Sequence, residues 1–221
     1  MRTPLIAAVL LLSASAVYAD QDVSRTFRTS IPRGSVTRVI IDIPAAEISV
    51  RNGASDKVTA TGEISRESDG EREREEARKL VESTSIEIYV RGNEAVVRRR
   101  FTNQSDTWRN RTFTEFKLDL EVPQGTSLQF ETSYGELNLD GRFGDIDIDL
   151  RAGEVDLRTH RADVGELNAS CRIGEVRADL GDRWVKREGV FPGKTHFINA
   201  GGKYTVNIHV TAGEVDVTLK P

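Results

Sequence analysis

The sequence predicts an all-β chain: a β-solenoid or β-helix-like stack of short strands, with one short α-helix inserted in its N-terminal half. Three observations predict it. Apolar and polar residues alternate in short runs bounded by turn residues, a six-residue unit headed by glycine and an acid recurs six times, and one charged segment alone breaks the alternation with helical spacing.

The chain opens with Arg2, an apolar run from Leu5 to Leu12, and small residues ending in Val17-Tyr18-Ala19, the pattern of a secretory signal. Residues 1–19 are therefore expected to be removed after Ala19, so that the mature chain begins at Asp20 in the periplasm or outside the cell. The apolar run is shorter than the ~20 residues a membrane-spanning helix needs, so no transmembrane segment is expected. No cysteine follows the cleavage site and Leu219-Lys220-Pro221 is no sorting tail, so no lipid anchor is expected either. Residues 20–221 read as a single β-repeat domain, with N-terminal strands over 36–122 and a glycine-acid stack over 123–221.

Within the first part, Val39-Ile41-Ile43, Ile48-Val50 and Val58-Ala60 read as strands separated by Pro44 and Asn52-Gly53. Alternation stops at Ser68. A helix over about 69–82 is predicted, with Ser68 and Glu71 as a capping box and Ala77, Leu80 and Val81 as its narrow buried stripe. Strands resume at Ile86-Ile88-Val90, turn at Gly92-Asn93 and continue through Ala95-Val96-Val97. Thr102 to Arg111 reads as a loop, and Phe116, Leu118, Leu120 and Val122 form the next strand, closed by Pro123.

The repeated unit begins at Tyr134-Gly-Glu-Leu-Asn-Leu and recurs from Phe143, Ala152, Val164, Ile173 and Ala212, with glycines at Gly135, Gly144, Gly153, Gly165, Gly174 and Gly213. Spacings of 9, 9, 12, 9 and 39 would invert the strand faces unless something bends the chain. Ile173 and Val176 differ in parity and both read as core, so each glycine-acid pair is taken as a corner, where glycine permits what a Cβ would obstruct. Two units, about 18 to 21 residues, then make one coil. An antiparallel meander is the alternative, with Asp140-Gly141 as its hairpin signal. The stretch containing Trp184, Phe191-Pro192-Gly193, Gly201-Gly202 and the strand Tyr204-Val206-Ile208-Val210 reads as a less regular layer covering the end of the stack.

These repeats, the Val39 to Val50 strands, the charged helix and the closing run from Gly202 to Val217 resemble the bacterial β-strand-repeat domain of unknown function labelled putative adhesin. The resemblance covers nearly all of the mature chain. It implies a β-helix-like envelope protein with no established catalytic residues.

The chain carries 31 basic and 35 acidic residues for a net charge of −4, and loss of Arg2 makes it −5. Bulk attraction to nucleic acid or to anionic lipid is not expected on that balance. Cys171 is the sole cysteine, so no internal disulfide forms, and its apolar parity predicts a buried, unreactive thiol.

Gly189-Val-Phe-Pro-Gly193-Lys194-Thr195 falls one residue short of a phosphate-binding loop and reads as a turn. Asp145, Asp147 and Asp149 share one strand face and resemble calcium-binding nonapeptide repeats, but those repeats carry further glycines and acids absent here; the reading is a solvated face. His160, His196 and His209 share no metal-ligand spacing, and no serine or cysteine sits in a nucleophile motif. No enzyme activity and no cofactor are therefore expected.

Arg98-Arg99-Arg100, with Trp108, Arg109 and Arg111, forms a basic, aromatic-bearing patch. It reads either as a charge-guarded strand edge or as a contact site for an anionic partner such as an envelope glycan or a membrane-protein loop. The expected role is structural, adhesive or protein-interacting, toward an unknown envelope protein or surface glycan, with self-association through exposed end strands. The alternative is a ligand-binding accessory module of envelope stress or signalling that uses the Arg98 to Arg111 region.

Overall fold

A computed structural model describes residues 22–68, 70–101, 115–182, 184–189 and 193–221. The predicted signal segment and the Thr102–Arg111 loop lie outside them. Among the described residues the chain is all-β with one helix. The strands are β1 (Asp22–Pro32), β2 (Arg38–Asp42), β3 (Ala45–Asn52), β4 (Lys57–Glu67), β5 (Thr84–Arg91), β6 (Glu94–Phe101) and β7 (Glu115–Val122), followed by β8 (Ser127–Phe130) and β9 (Tyr134–Asp140). Then come the long β10 (Ile146–His160) and β11 (Val164–Asp179), the short β12 (Trp184–Gly189) and β13 (Gly193–Ile198), and β14 (Tyr204–Lys220). The helix α1 spans Glu71–Ser83.

The organising unit is a gapless twelve-residue block in five copies: Val39–Val50, Leu128–Leu139, Ile146–Leu157, Val206–Val217 and Leu167–Ala178. In that spatial order the copies pair in parallel and in register, with Val39 beside Leu128, Leu128 beside Ile146, Ile146 beside Val206 and Val206 beside Leu167. Along β10 the side chains of Ile146, Ile148 and Leu150 point inward, and after Gly153 the inward set is Val155 and Leu157. The face assignment thus changes parity across residues 151–154. Equivalent side chains line up into buried rows such as Ile48, Leu137, Val155, Val215 and Val176. Each buried Leu, Ile or Val contributes roughly 1.5–3 kcal/mol of transfer free energy, so these rows dominate the core.

The predicted solenoid is not what forms. The strands make one mixed, nearly closed, barrel-like sheet with the path β1-β4-β7-β3-β9-β10-β8-β2-β6-β5. A solenoid stacks its coils in chain order, whereas here β14 lies between β10 and β11, and β3 lies between β7 and β9. The physical reason is twofold. The block in β14 carries the same Ala-Gly-Glu-Val-Asp as that in β10, and the two pair in register over it. In addition, the antiparallel pairs β1–β4, β4–β7 and β5–β6 curl the sheet until β1 meets β5, with α1 packed over β1, β4 and β5, which covers edges a solenoid would leave open.

Other expectations need correction too. Ile173 is 51% exposed and is no core residue; only Val176 of that pair is buried. Helix α1 buries Ala77, Leu80 and Val81, but starts after Gly70 with no side-chain cap, so Ser68 and Glu71 form no capping box. Tyr204 to Val210 belongs to β14 inside the sheet and is not a terminal cover. The covering strands are β12 and β13, which pair antiparallel with β11. Strand β1 carried no clear period in the sequence.

Candidate interaction faces

Of the predicted basic patch, Trp108, Arg109 and Arg111 lie outside the described residues. The other three sit on β6, where hydrogen bonding to β5 places Arg98 opposite Glu87. Glu87 accepts hydrogen bonds from Arg98 at 2.5 Å and Arg100 at 3.2 Å. Partial burial pushes the Glu87 carboxyl up, but the two guanidinium hydrogen bonds outweigh it and hold it below the usual range. Arg98 also lies over the Tyr89 ring at 4.8 Å, and Arg99 over the rings of Phe101 and Phe116 at 4.7 and 5.1 Å. The three arginines are thus engaged by their own sheet.

The six glycines divide into two sets. Gly135, Gly153, Gly174 and Gly213 have φ between 134° and 144° and sit side by side in the order Gly135, Gly153, Gly213, Gly174. A Cβ on each would lie 1.8–1.9 Å from the carbonyl oxygen of Ala46, Gly135, Gly153 or Gly213, its neighbour toward β3. Gly144 and Gly165 lie outside this ladder, just ahead of the blocks beginning at Ile146 and Leu167, and have no positive φ.

The residue after each ladder glycine points outward, which builds an in-register row of Glu47, Glu136, Glu154, Glu214 and Glu175 across five neighbouring strands. Two residues on, the row reads Ser49, Asn138, Asp156, Asp216 and Arg177. Arg177 neutralises one end of these rows, donating to Glu175, to Asp216 at 3.1 Å and to Glu214 at 3.3 Å, while Lys117 lies 3.6 Å from Glu47 at the other. These contacts raise the Arg177 pKa, the Glu175 hydrogen bond first among them. The repeated Gly-Glu pair was the signal for this row. Its first member was missed because Ala46 replaces the glycine.

On the first half of the blocks, the outward row beside the glycine-free strands reads Gln129, Asp147, Asn207 and Asn168, with Asn168 donating to Asn207 at 3.1 Å. Asp149 lies beside His209, and His209 Nδ1 is 2.9 Å from Ser170 Oγ. Asp145 accepts the Thr205 backbone N–H at 2.9 Å. His160 and His196 sit elsewhere, His196 being 3.5 Å from Glu166. Cys171 is fully buried and its thiol donates to the carbonyls of Gly213 and Ile173 at 3.2 and 3.3 Å. Within Gly189–Thr195, residues 190–192 lie outside the described set, and Gly193 opens β13.

Two shallow grooves cut these faces. One, about 350 Å³, is lined by Gln129, Glu131, Ser133, Asp147, Asp149 and Arg151, with Phe130 and Thr132 at its floor. The other, about 250 Å³, lies over Arg51, Asn138, Asp140, Asp156 and Arg158. Among the described residues no cluster of His, Cys, Asp and Glu is arranged to hold a metal ion, and no helix is long and apolar enough to cross a membrane.

No family model matches the sequence and no curated protein matches it, so membership of the β-strand-repeat family is not shown. Solved structures do resemble it at low identity. A "putative cell adhesion protein" from Clostridium sporogenes is 11% identical with a TM-score of 0.40, covering 89% of this chain and all of that one. A "putative adhesin" from Parabacteroides merdae is 10% identical with a TM-score of 0.29 over 63% of this chain and 59% of that one. Another from Bacteroides fragilis is 11% identical with a TM-score of 0.27, covering 91% and 98%.

Proposed function

We propose that this chain is an exported, non-catalytic protein of the cell envelope that works by presenting its outer sheet faces to another envelope component or an external surface. The observation that carries the reading is the set of in-register outward rows, above all Glu47, Glu136, Glu154, Glu214 and Glu175, held at the fixed strand spacing of about 4.8 Å. Such a face is rigid, because every strand in it is hydrogen-bonded on both sides. It is also repetitive, which suits an extended partner better than a small substrate.

The test places a photo-crosslinking residue at Glu154 or Asn207 on the faces, and at Arg72 on α1 as a control, in cells that make the protein. One envelope component captured repeatedly from the face positions and not from Arg72 is the expected result. Retention in the cytoplasmic fraction, or no adduct specific to the faces, overturns it. Hydrolase turnover that is lost in His209→Ala would also overturn the non-catalytic reading.

The accessory-module reading rests on the Arg98 to Arg111 region. It is disfavoured because Glu87 already engages Arg98 and Arg100. It requires that charge reversal at Arg100 and Arg109 abolish binding to envelope extracts, whereas the face reading expects no change.

A further inference from the structure

The groove between β8 and β10 differs from its counterpart in a way that points to a ligand. In the smaller groove all the charges but that of Asp119 are paired: Arg51 with Glu121 at 2.8 Å, Arg158 with Asp156 at 2.5 Å and Asp140 with Lys220 at 2.6 Å. In the larger one Asp147, Asp149 and Arg151 have no ion pair among the described residues, although they share one groove with Glu131. Gln129 donates weakly to Glu131 at 3.4 Å.

The groove exists because the sheet parts here. The β8–β10 ladder ends at Phe130 and Ile148, Glu131 turns its N–H to Ile41 of β2, and contact resumes only where Arg151 and Ala152 donate to the Ser133 carbonyl. Thr132 lines the groove at 3% exposure, its hydroxyl buried without a hydrogen-bond partner.

We propose that this groove binds a saccharide unit, neutral or bearing an amino group. Two properties select that chemistry. The side chains are planar polar groups that can each accept or donate to paired hydroxyls, and Asp147 and Asp149, two apart on one strand, stand about 6.7 Å apart along it, the scale of one sugar ring. Three carboxylates against one guanidinium leave the groove net negative, which disfavours uronic, sialic or phosphorylated sugars. At about 350 Å³ the space lies within the range of small-ligand sites, roughly 300–1,000 Å³.

The inference rests on the surface-contact reading above, and its test separates the two. The purified protein is titrated calorimetrically with a tetramer of N-acetylglucosamine, with its deacetylated counterpart, and with a uronic acid oligomer. Saturable binding of the neutral or the amino tetramer is expected. It should weaken at least tenfold in the double variant Asp147→Asn/Asp149→Asn and stay unchanged in Asp140→Asn/Asp156→Asn at the smaller groove. All four sites are on exposed strand faces, and urea midpoints confirm that each variant folds. No binding of either tetramer, tighter binding of the uronic oligomer, or equal affinity in the two double variants overturns the proposal. If saccharide binding fails while face-specific crosslinks are found, the groove assignment alone falls. If binding is found and the crosslinks are absent, the groove stands and the envelope role falls.

Discussion

Replacing Gly153 by alanine tests the idea that the glycine ladder fixes how closely the central strands pack. A Cβ there would lie 1.8 Å from the Gly135 carbonyl oxygen, and even the 3.0 Å that real Cβ contacts respect requires 3.0 − 1.8 = 1.2 Å of separation. Backbone cannot rotate out of the way as a side chain can, so β9 and β10 must move apart or the block must change conformation. The φ of 141° adds a backbone region open essentially to glycine alone, worth about 1–3 kcal/mol. Loosening the flanking ladder adds about 1 kcal/mol per hydrogen bond lost, for a total of about 3–5 kcal/mol with two bonds weakened. Against a domain stability of about 5–15 kcal/mol that is a large fraction. With a urea slope of about 2 kcal/mol/M the midpoint should fall by about 1.5–2.5 M. Gly92→Ala is the control, because Gly92 has φ 67° but open space around it, so only a strain of about 1–2 kcal/mol is expected. If Gly153→Ala costs no more than Gly92→Ala, steric contact across the ladder is not what holds these glycines in place.

Three further outcomes follow from the same structure. Thr59, 2% exposed on β4, buries a hydroxyl with no partner, so Thr59→Val should raise stability by about 1–2 kcal/mol in urea titration, and a loss would mean the hydroxyl is satisfied. Cys171 should react with a thiol reagent only at the rate of unfolding, and fast labelling in native buffer would contradict its burial between β11 and β14. Asp163 accepts two hydrogen bonds from Arg142, at 2.6 and 2.7 Å, which hold its carboxyl below the ordinary value of 3.8. That pairing stabilises the fold above the ordinary carboxylate range and is lost as pH falls through the depressed value. The stability gap between the wild type and Asp163→Asn should therefore be full at pH 7 and shrink below about pH 4, and a constant gap would show that the ion pair is not its source.

The strands and their burial were legible because alternation is a local property: Ile146, Ile148 and Leu150 announce an inward face with no knowledge of neighbours. What alternation cannot convey is which strand lies beside which. The six-residue unit obscured the true twelve-residue block, since Gly144 and Gly165 precede blocks while Gly153 and Gly174 sit inside them. The copy at Val39 escaped notice because Ala46 stands in the glycine place. Alanine is accepted there because the ladder with β7 begins only at Glu47, one residue on. Ile173 misled because an apolar side chain at a corner can point outward when the chain bends. In the candidate site, the outward glutamates followed from the Gly-Glu pairs. The groove at Asp147 and Asp149 did not, because it arises from a parting of two strands far apart in sequence. The contact of Ser170 with His209 was hidden for the same reason.

The placement of β14 also bears on how the chain reaches its native state. Among the described residues β11 pairs only with β12, β13 and β14, so the described part of 164–198 joins the rest of the sheet by strand pairing through β14 alone. Until residues 204–220 are available, β10 has an unfilled side and β11 has nowhere to dock. Growth of the sheet by successive addition in chain order is therefore closed to this topology, since β14 must come to lie between β10 and β11. Its pairing with β10, about 60 residues away in the chain, is one of the long-range closures that place the fold among slow, non-local assemblies. A chain cut after residue 203 would then lose more than one strand's worth of structure, because β11, β12 and β13 would leave with it.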